Sequence, residues 1–259
     1  MSGSTVEQTA PEPAALPLFA GHEWIGARKE QEDFHGVVPP EECGDGLLLA
    51  LVADGMGGHG NGAAASQCVV DHFAAGFFAS PSDAGDARLW DALESANRAV
   101  GDRIKQNPSL NGMGSTLLAI LASTTSLHWI SVGDSPLFLL RQGILRQVNE
   151  PHTESLLAAA GMADDADPQA PSNVLMAAIV GAELRFVDDG GPLPLLPGDT
   201  LLAASDGLLT LSPEEIIGIL QSAAADGPQR QTAELIAALR SKNLPGQDNV
   251  TAIVIQIPS

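Results

Sequence analysis

Three aspartates stand where apolar segments of the sequence meet loops. The segments LLLALVADG and DTLLAASDG lead to Asp54 and Asp206, and DNVTAIVIQI begins with Asp248. In an antiparallel sheet, the C-terminal ends of two strands and the N-terminal start of a third can lie at the same end of the sheet, so these carboxylates would converge. At about 4 Å apart and an effective dielectric constant of about 20, each pair would repel by about 4 kcal/mol. Such a cluster requires protons or metal ions to neutralise it.

An oxygen-only cluster of this kind indicates hard divalent cations. Carboxylates suit Mg²⁺ or Mn²⁺ better than Zn²⁺, which prefers histidine and cysteine. Two such ions about 3.5–4 Å apart, bridged by a carboxylate and a water, form a hydrolytic centre in which water attacks phosphorus in line. The alternative is that each Asp-Gly pair is a simple turn, since this dipeptide is common in turns. The glycine-rich stretch after Asp54 fits neither an EF-hand nor a P-loop, because the required acidic and Gly-Lys-Ser/Thr positions are missing.

Paired helices alternate with groups of hairpin-linked strands, and these elements must position the aspartates. Residues 46–54 are predicted as a buried strand, 63–79 and 86–106 have the apolar spacing of helices, and 150–190 is irregular. The other predicted elements are strands over 22–27, 33–38, 115–123, 127–134, 137–141, 144–149, 199–206 and 249–257, and helices near 213–223 and 229–242. This order favours an antiparallel α+β layered domain over a parallel βαβ fold.

The composition restricts the partners. The 259 residues include 32 acidic and 12 basic side chains, a net charge of −20, so no basic stripe is available to displace counterions. Nucleic acid and anionic membrane surfaces are therefore excluded as partners. Solubility accounts for most of the charge, and cation binding by some acids is a sharper explanation. No apolar run of the sequence is long enough to span a bilayer.

The chain is predicted to hold one domain behind a short tail. Residues 1–18 are rich in Ser, Thr, Pro and Glu and lack the basic and apolar regions of a secretory signal, which predicts a flexible N-terminal tail. Residues 19–259 then form a single domain with ample core. Cys43 and Cys68 belong to no Cys-x-x-Cys pair and are predicted to be free thiols. A cytoplasmic monomer is expected.

Six motifs in order along the chain resemble those of the metal-dependent (PPM, or type 2C) serine/threonine protein phosphatases in their bacterial form. They are GARKEQED (26–33), VADGMGGHGNGAAAS (52–66), GMGSTLLA (112–119), SVGDSPLFLLRQG (131–143), LLAASDGL (201–208) and GQDNVTAIVI (246–255). The resemblance runs from about Gly21 to Ile257. It implies a four-layer αββα sandwich with two central antiparallel sheets, a metal site at one end of the sheets, and a single phosphatase domain over 19–259.

The resemblance implies two Mn²⁺ or Mg²⁺ ions and a ligand for a weaker third. The implied ligands are Asp54 bridging both ions, the Gly55 carbonyl on the first ion, Asp206 and Asp248 on the second, and Glu32 and Asp33 through water. Asp134 would bind the third ion, although Thr210 stands where many members of the family add another acid for it.

Three further features implied by the resemblance concern the substrate. Arg28 would bind its phosphate through a bidentate fork, the alternative being a surface ion pair with Glu30 or Glu32. His59 would protonate the leaving oxygen, or else only fix the glycine loop by hydrogen bonding. Residues 150–190 would form a flap beside the site. Asn249 would hold the metal ligands in position without itself binding an ion.

The function that the resemblance implies is hydrolysis of phosphoserine and phosphothreonine in proteins by a water that bridges two metal ions. The expected partners are phosphorylated proteins and a cognate kinase. One alternative is a catalytically silent domain that binds phosphoproteins or regulates a kinase, which loss of a core aspartate would favour; all are present. A second alternative is a phosphatase of small phosphorylated metabolites.

Overall fold

The computed structural model describes residues 15–58, 60–153 and 175–258. In these ranges the strands are β1 (Leu18–Trp24), β2 (Asp33–Val38), β3 (Leu48–Met56), β4 (Gly114–Ser115), β5 (Leu117–Ala122), β6 (Ser126–Val132), β7 (Leu137–Arg141), β8 (Ile144–Gln147), β9 (Asp188–Pro194), β10 (Thr200–Ala204) and β11 (Val250–Gln256). The α-helices are α1 (Pro40–Cys43), α2 (Asn61–Ala79), α3 (Gly85–Gln106), α4 (Pro213–Ser222) and α5 (Pro228–Lys242). Short 3₁₀ turns lie at Pro108–Leu110, Asp206–Thr210 and Ala224–Asp226.

The strands form two sheets with antiparallel pairing throughout. The first sheet has the order β1-β11-β10-β7-β8, and the second has the order β2-β3-β5-β6-β9, with β4 paired to the end of β3. The first sheet combines strands from both ends of the chain, because β1 pairs with β11. The motifs near the N-terminus and the C-terminus are brought together in this way.

The central strands are apolar on both faces, because each sheet is covered twice. In β3, Leu48, Ala50 and Val52 pack against the other sheet, whereas Leu49 and Leu51 pack against helices. This alternation follows the two-residue period of a strand. It places Asp54 next in the row that faces the opposite sheet.

Two outer layers complete the sandwich. α2 and α3 cover the β2–β9 sheet with a core that includes Phe73, Phe77 and Leu93. α4 and α5 cover the other sheet through residues such as Leu220 and Leu235. The predicted four-layer αββα sandwich is confirmed. Among the described helices, none combines the length and the apolar character needed to cross a membrane.

Some element boundaries differ from the sequence-based predictions. β1 spans Leu18–Trp24 rather than 22–27, because its partner β11 pairs with it from Leu18 to Trp24. β9 at Asp188–Pro194 was missed within and beyond the irregular 150–190 region. Its sequence DDGGPLP has neither apolar alternation nor β-branched residues, so only pairing with β6 defines it as a strand. Cys43 and Cys68 are buried free thiols, as predicted.

Candidate active site

Asp33 and Asp54 face each other at one end of the second sheet. They are directly paired in the register of β2 and β3. Asp33 is buried, and its Oδ2 accepts a hydrogen bond of 2.7 Å from Ser205 Oγ, which follows β10 in the opposite sheet. The Ser205 hydroxyl also accepts a bond of 2.9 Å from the Thr251 N–H. This chain of bonds ties the two sheets together where the acids lie.

The backbone of Asp54 is held on both sides. Its N–H donates to Thr116 Oγ1 at 2.9 Å, and its carbonyl accepts from the Thr116 N–H at 2.8 Å. The Thr116 hydroxyl is in turn 3.1 Å from the Ser135 hydroxyl. Asp54 therefore projects from a fixed backbone, which limits the conformational freedom lost when its carboxylate binds a ligand.

The other sheet contributes Asp206 and Asp248. Asp206 opens the 3₁₀ turn that follows β10, and Asp248 stands two residues before β11. The Gln247 side chain donates to the Gly207 carbonyl at 3.1 Å, so the two loops are joined directly. The three strand-end aspartates singled out in the sequence thus lie in one neighbourhood, at the end of the cleft between the sheets.

The carboxylates raise one another's pKa values. Burial, followed by the charges of Asp33, Asp206, Asp134 and Asp248, raises the pKa of Asp54 to about 9. Burial is also the main cause that raises the pKa of Asp33 to about 7 and that of Asp206 to about 6. Without a counter-charge, such a cluster retains protons at neutral pH. A bound cation would relieve the same repulsion.

The donor atoms fit a hard divalent cation in type and charge. They are carboxylate oxygens, and Asp206 Oδ1 is buried without a hydrogen-bond partner among the described residues. Glycines make the room beside them: a Cβ at Gly62 would lie 2.4 Å from Glu32 Oε1, and one at Gly55 would lie 2.0 Å from the Gly62 carbonyl oxygen. Glu32 and the first turn of α2 can therefore approach the Gly55 carbonyl.

The acidic side chains of the described residues do not converge on a single metal-binding position. Over residues 15–58, 60–153 and 175–258, no three His, Cys, Asp or Glu side chains are arranged to hold an ion jointly. Asp248 shows one reason, because its Oδ2 lies 2.6 Å from Arg28 Nη2 and its Oδ1 accepts from the Asn249 N–H at 2.8 Å. The acids are neighbours all the same, since Asp33 and Asp54 are paired in register and the charges of Asp134, Asp206 and Asp248 act on Asp54. Binding an ion requires rearrangement of these side chains.

Arg28 lies at the edge of the acidic cleft. Its ion-pair partner is Asp248, 220 positions away in the sequence, and not Glu30 or Glu32 as the surface alternative assumed. The Arg28 side chain is 55% exposed, so its guanidinium is open to a ligand from solution. The phosphate-binding role of Arg28 stays a prediction.

Asn249 fastens the loop that carries Arg28 and Glu32. Its side-chain amide donates to the Ile25 carbonyl at 2.8 Å and to the Glu30 carbonyl at 3.1 Å, and its Oδ1 accepts from the Glu32 N–H at 2.8 Å. Gly26 permits this contact, since it has φ +65° and a Cβ there would lie 2.1 Å from the Asp248 carbonyl oxygen. The supporting position expected for Asn249 has this physical form.

Asp134 lies on the turn after β6, and burial raises its pKa. His152 holds this turn with two hydrogen bonds. Its backbone N–H donates to the Gly133 carbonyl at 2.9 Å, and its ring Nδ1 accepts from the Gly133 backbone N–H at 3.0 Å. Sequence reasoning assigned no role to His152, although its segment NEPHT stands at a position where the resembled family has a similar motif. It also missed Thr116 and Ser205, for which an isolated sequence gives no signal.

Two predicted features fall partly or wholly outside the described residues. His59 is not among them, and neither are residues 154–174 of the flap-like region 150–190. The remainder of that region includes Ile179, which exchanges backbone hydrogen bonds of 3.1 and 2.8 Å with Ser115 at the end of the cleft. The described part of the region therefore borders the acids.

The fold and the cleft define a class of protein: a four-layer α+β sandwich whose acidic end suits divalent cations. The family profile described as protein phosphatase 2C matches residues 28–240. The serine/threonine phosphatase stp of Listeria monocytogenes is 30% identical over 239 residues, covering 88% of this chain and 91% of that protein. The chain belongs to the protein phosphatase 2C family.

Solved structures agree with this assignment. The crystal structure of the serine/threonine phosphatase PstP/Ppp of Mycobacterium tuberculosis has a TM-score of 0.77 at 30% identity, covering 95% of this chain and 100% of that one. A structure of the PstP catalytic domain in complex with two manganese ions has a TM-score of 0.76 at 30% identity, covering 94% and 99%. The similarity therefore extends over nearly the whole of both chains.

Proposed function

We propose that this chain is a Mn²⁺- or Mg²⁺-dependent phosphatase that hydrolyses phosphoserine and phosphothreonine in proteins. The observation that carries the proposal is the convergence of buried and half-buried carboxylates from both sheets beside one exposed arginine. Repulsion within such a cluster favours divalent cations, and an adjacent guanidinium favours a phosphate. Family membership and the two manganese ions of the PstP catalytic domain support the same cofactor.

The roles proposed for the side chains are those that the family resemblance implies, and the proximity of the acids supports them. Asp54 would bridge two ions, with the Gly55 carbonyl on one ion and Asp206 and Asp248 on the other. Glu32 and Asp33 would act through water, and Asp134 would bind a weaker third ion. Bound there, the ions would supply an activated water nucleophile and neutralise charge on the phosphoryl oxygens.

Arg28 would orient the phosphate in this scheme. Its guanidinium can bind two phosphoryl oxygens at once, and Asn249 keeps its loop in place. Since Asp248 now holds the Arg28 guanidinium, a cation on Asp248 would weaken that ion pair and free the fork for substrate. The chain's own residues thus couple occupation of the acidic cleft to phosphate binding.

Phosphate release from a phosphothreonine peptide, measured with and without Mn²⁺, tests the proposal. Release that requires the metal supports a phosphoprotein phosphatase. Binding of the peptide without release would indicate a silent phosphoprotein-binding domain, and release only from small phosphate esters would indicate a metabolite phosphatase. A cognate protein kinase must supply the substrate, and we propose a monomer in the cytoplasm, where Cys43 and Cys68 stay reduced.

Replacement of Arg28 by alanine is expected to raise KM for a phosphopeptide about 10- to 100-fold, with a smaller fall in kcat. The physical reason is the loss of a charge-assisted hydrogen-bond pair worth about 1.5–3 kcal/mol. Steady-state kinetics measure the change. Lys29→Ala is the matched control, because it removes an exposed neighbouring cation. An unchanged KM would limit Arg28 to its surface ion pair with Asp248.

His59 is proposed as the general acid, and the leaving group tests this role. Serine and threonine alkoxides are very basic and need a proton in the transition state, whereas p-nitrophenolate leaves without one. His59→Ala should therefore slow hydrolysis of a phosphothreonine peptide by about 10²- to 10⁴-fold and that of p-nitrophenyl phosphate much less. Equal slowing of both substrates would assign His59 to loop support. If neither slows, another group donates the proton.

A further inference from the structure

A groove of about 470 Å³ lies between α2 and α3, outside the acidic cleft. Its lining includes Cys68 and His72 of α2 and Arg98, Asp102, Arg103 and Gln106 of α3. His72, Arg98 and Arg103 are exposed, so the groove presents two guanidinium groups and an imidazole to solvent. None of these residues takes part in the proposed metal or phosphate chemistry.

The groove is unusual because the chain is so acidic. Only 12 of its 259 residues are Lys or Arg, against 32 acids, and α3 alone holds four of the 12. Across the part of the chain that the structure describes, neither Arg98 nor Arg103 forms an ion pair, whereas Arg141 and Arg230 are each paired with an acid. Two cations at one groove are therefore left without a counter-charge.

The other lining groups do not neutralise these arginines. Asp102 is paired with Lys105, the two being 3.1 Å apart. Cys68 forms the buried floor, receives a hydrogen bond from Arg103, and has its pKa raised by burial, so it remains a neutral thiol. Asp71 is the one other acid that acts on that thiol, and it does not line the groove.

His72 adds hydrogen-bonding capacity beside the arginines. Its Nδ1 lies 2.9 Å from the Cys68 carbonyl oxygen, so this nitrogen carries the proton that makes the bond. The other ring nitrogen, Nε2, is then a donor only in the charged form of the ring. The groove thus combines two guanidinium groups with a histidine ring at its edge.

We propose that this groove binds an acidic segment of the protein substrate, some distance from the phosphorylated residue. The inference rests on the proposed function and adds a second contact to it. Charge complementarity favours a peptide rich in Glu or Asp, because Arg98 and Arg103 attract acids. The chain as a whole carries −20 and repels such a peptide elsewhere, which confines its binding to this groove. The open shape of the groove suits an extended chain.

The distance to the cleft sets the spacing in the substrate. Asn61, which begins α2 next to the glycine loop, donates to the Ser109 carbonyl at 3.3 Å, so the catalytic ends of α2 and α3 meet there. Cys68 and His72 lie about 10 and 16 Å further along α2 at 1.5 Å per residue. An extended peptide covers about 3.3 Å per residue, so the acidic segment should begin at least about three to five residues from the phosphorylated one.

Direct binding tests the groove without catalysis. A fluorescein-labelled peptide of eight glutamates is titrated with the full chain at low salt, and fluorescence anisotropy gives Kd. We expect binding that weakens with added salt and that becomes about tenfold weaker in R98A/R103A, for two exposed charge contacts. The control R146A/R230A makes the same change in net charge on a β8 strand and an α5 helix that belong to the other half of the sandwich.

Kinetics then connect the groove to the reaction. Two phosphothreonine peptides differ only in a tract of four Glu or four Gln placed six residues from the phosphorylated residue. The unmodified chain should show a lower KM for the Glu peptide at equal kcat, and R98A/R103A should lose that preference while R146A/R230A retains it. R98E, which keeps Arg103 on Cys68, should lose the preference too, with an unchanged melting temperature.

Several outcomes would overturn the inference. They are absence of peptide binding, equal weakening by R146A/R230A, a Glu preference that survives in R98A/R103A, or tighter binding of a single-stranded oligonucleotide than of the acidic peptide. If neither phosphopeptide is hydrolysed, the proposed function fails, and the anisotropy measurement still decides whether the groove binds acidic peptides.

Discussion

Asp54→Ala is expected to reduce phosphatase activity by at least about 10³-fold, the largest loss among substitutions of the proposed metal ligands. Asp54 is the residue proposed to touch both ions, so its removal disturbs charge stabilisation worth several kcal/mol, at about 1.4 kcal/mol per tenfold in rate. Asp206→Ala and Asp248→Ala should each remove most of the activity as well. Initial rates on a phosphothreonine peptide at saturating Mn²⁺ measure the effect. Near-normal rates in Asp54→Ala would contradict the bridging role.

Substitution of Asp54 should lower activity but raise the stability of the metal-free fold. Its pKa of about 9 exceeds that of an aspartate in the unfolded chain, so between those values the folded state binds more protons than the unfolded state. In the absence of metal, the free energy of unfolding should therefore fall as pH rises from about 4 towards 9, because the Asp54 carboxylate ionises less readily in the folded state than in the unfolded state. Asp54→Asn, which cannot ionise, should raise the free energy of unfolding in chelator, and by more at pH 8 than at pH 5.

Urea unfolding at the two pH values separates this effect from a general one. Asp226→Asn is the control, because Asp226 is exposed on the 3₁₀ turn Ala224–Asp226 and should change stability little at either pH. A destabilised Asp54→Asn in chelator at pH 8 would show that the carboxylate stabilises the metal-free fold. The proposed repulsion within the cleft would then be wrong.

The layers of the fold were predictable because their signal is periodic. The apolar run before Asp54 is buried on both faces, and its two-residue alternation divides Leu48, Ala50 and Val52 from Leu49 and Leu51. The helices α2 and α3 lie within two residues of their predicted starts for the same reason. Strands without that pattern were lost or misplaced, as β9 shows, since their position depends on a neighbouring strand.

The contacts that shape the site were less predictable than its acids. Asp54, Asp206 and Asp248 could be found because each stands where an apolar strand meets a loop. Their partners could not, since the bonds from Ser205 to Asp33 and from Arg28 to Asp248 join residues 172 and 220 positions apart. Such pairs follow from the order of strands in the two sheets, which a single sequence does not specify.

The polar groups behind the acids illustrate the same limit. Thr116 and Ser135 are buried in the structure and hydrogen-bonded to each other, yet in the sequence they read as ordinary members of apolar strands and turns. Their importance comes from the backbone of Asp54, which the Thr116 hydroxyl holds. The family resemblance identifies whole motifs that contain these residues. Only the fold shows which side chain in each motif forms which contact.

Removal of divalent metal is expected to abolish turnover and to lower the melting temperature at neutral pH. A half-buried cluster whose carboxylates raise one another's pKa values binds cations only in the folded state, because the unfolded chain separates Asp33, Asp54 and Asp206. A ligand that binds only the folded state adds about 2.7 kcal/mol at a free concentration of 100 times Kd. Thermal unfolding in EDTA, followed by titration with Mn²⁺ or Mg²⁺, measures this gain.

The stabilisation should depend on the acids and not on ionic strength. Asp54→Asn should lose most of the Mn²⁺-dependent rise in melting temperature, whereas Asp226→Asn should keep it, and NaCl at matched ionic strength should not reproduce it in either protein. Activity should return with the same Mn²⁺ dependence as stability, because both report occupation of one cleft. Full turnover by a protein shown by elemental analysis to be free of metal would refute the proposed cofactor, whatever the stability measurements gave.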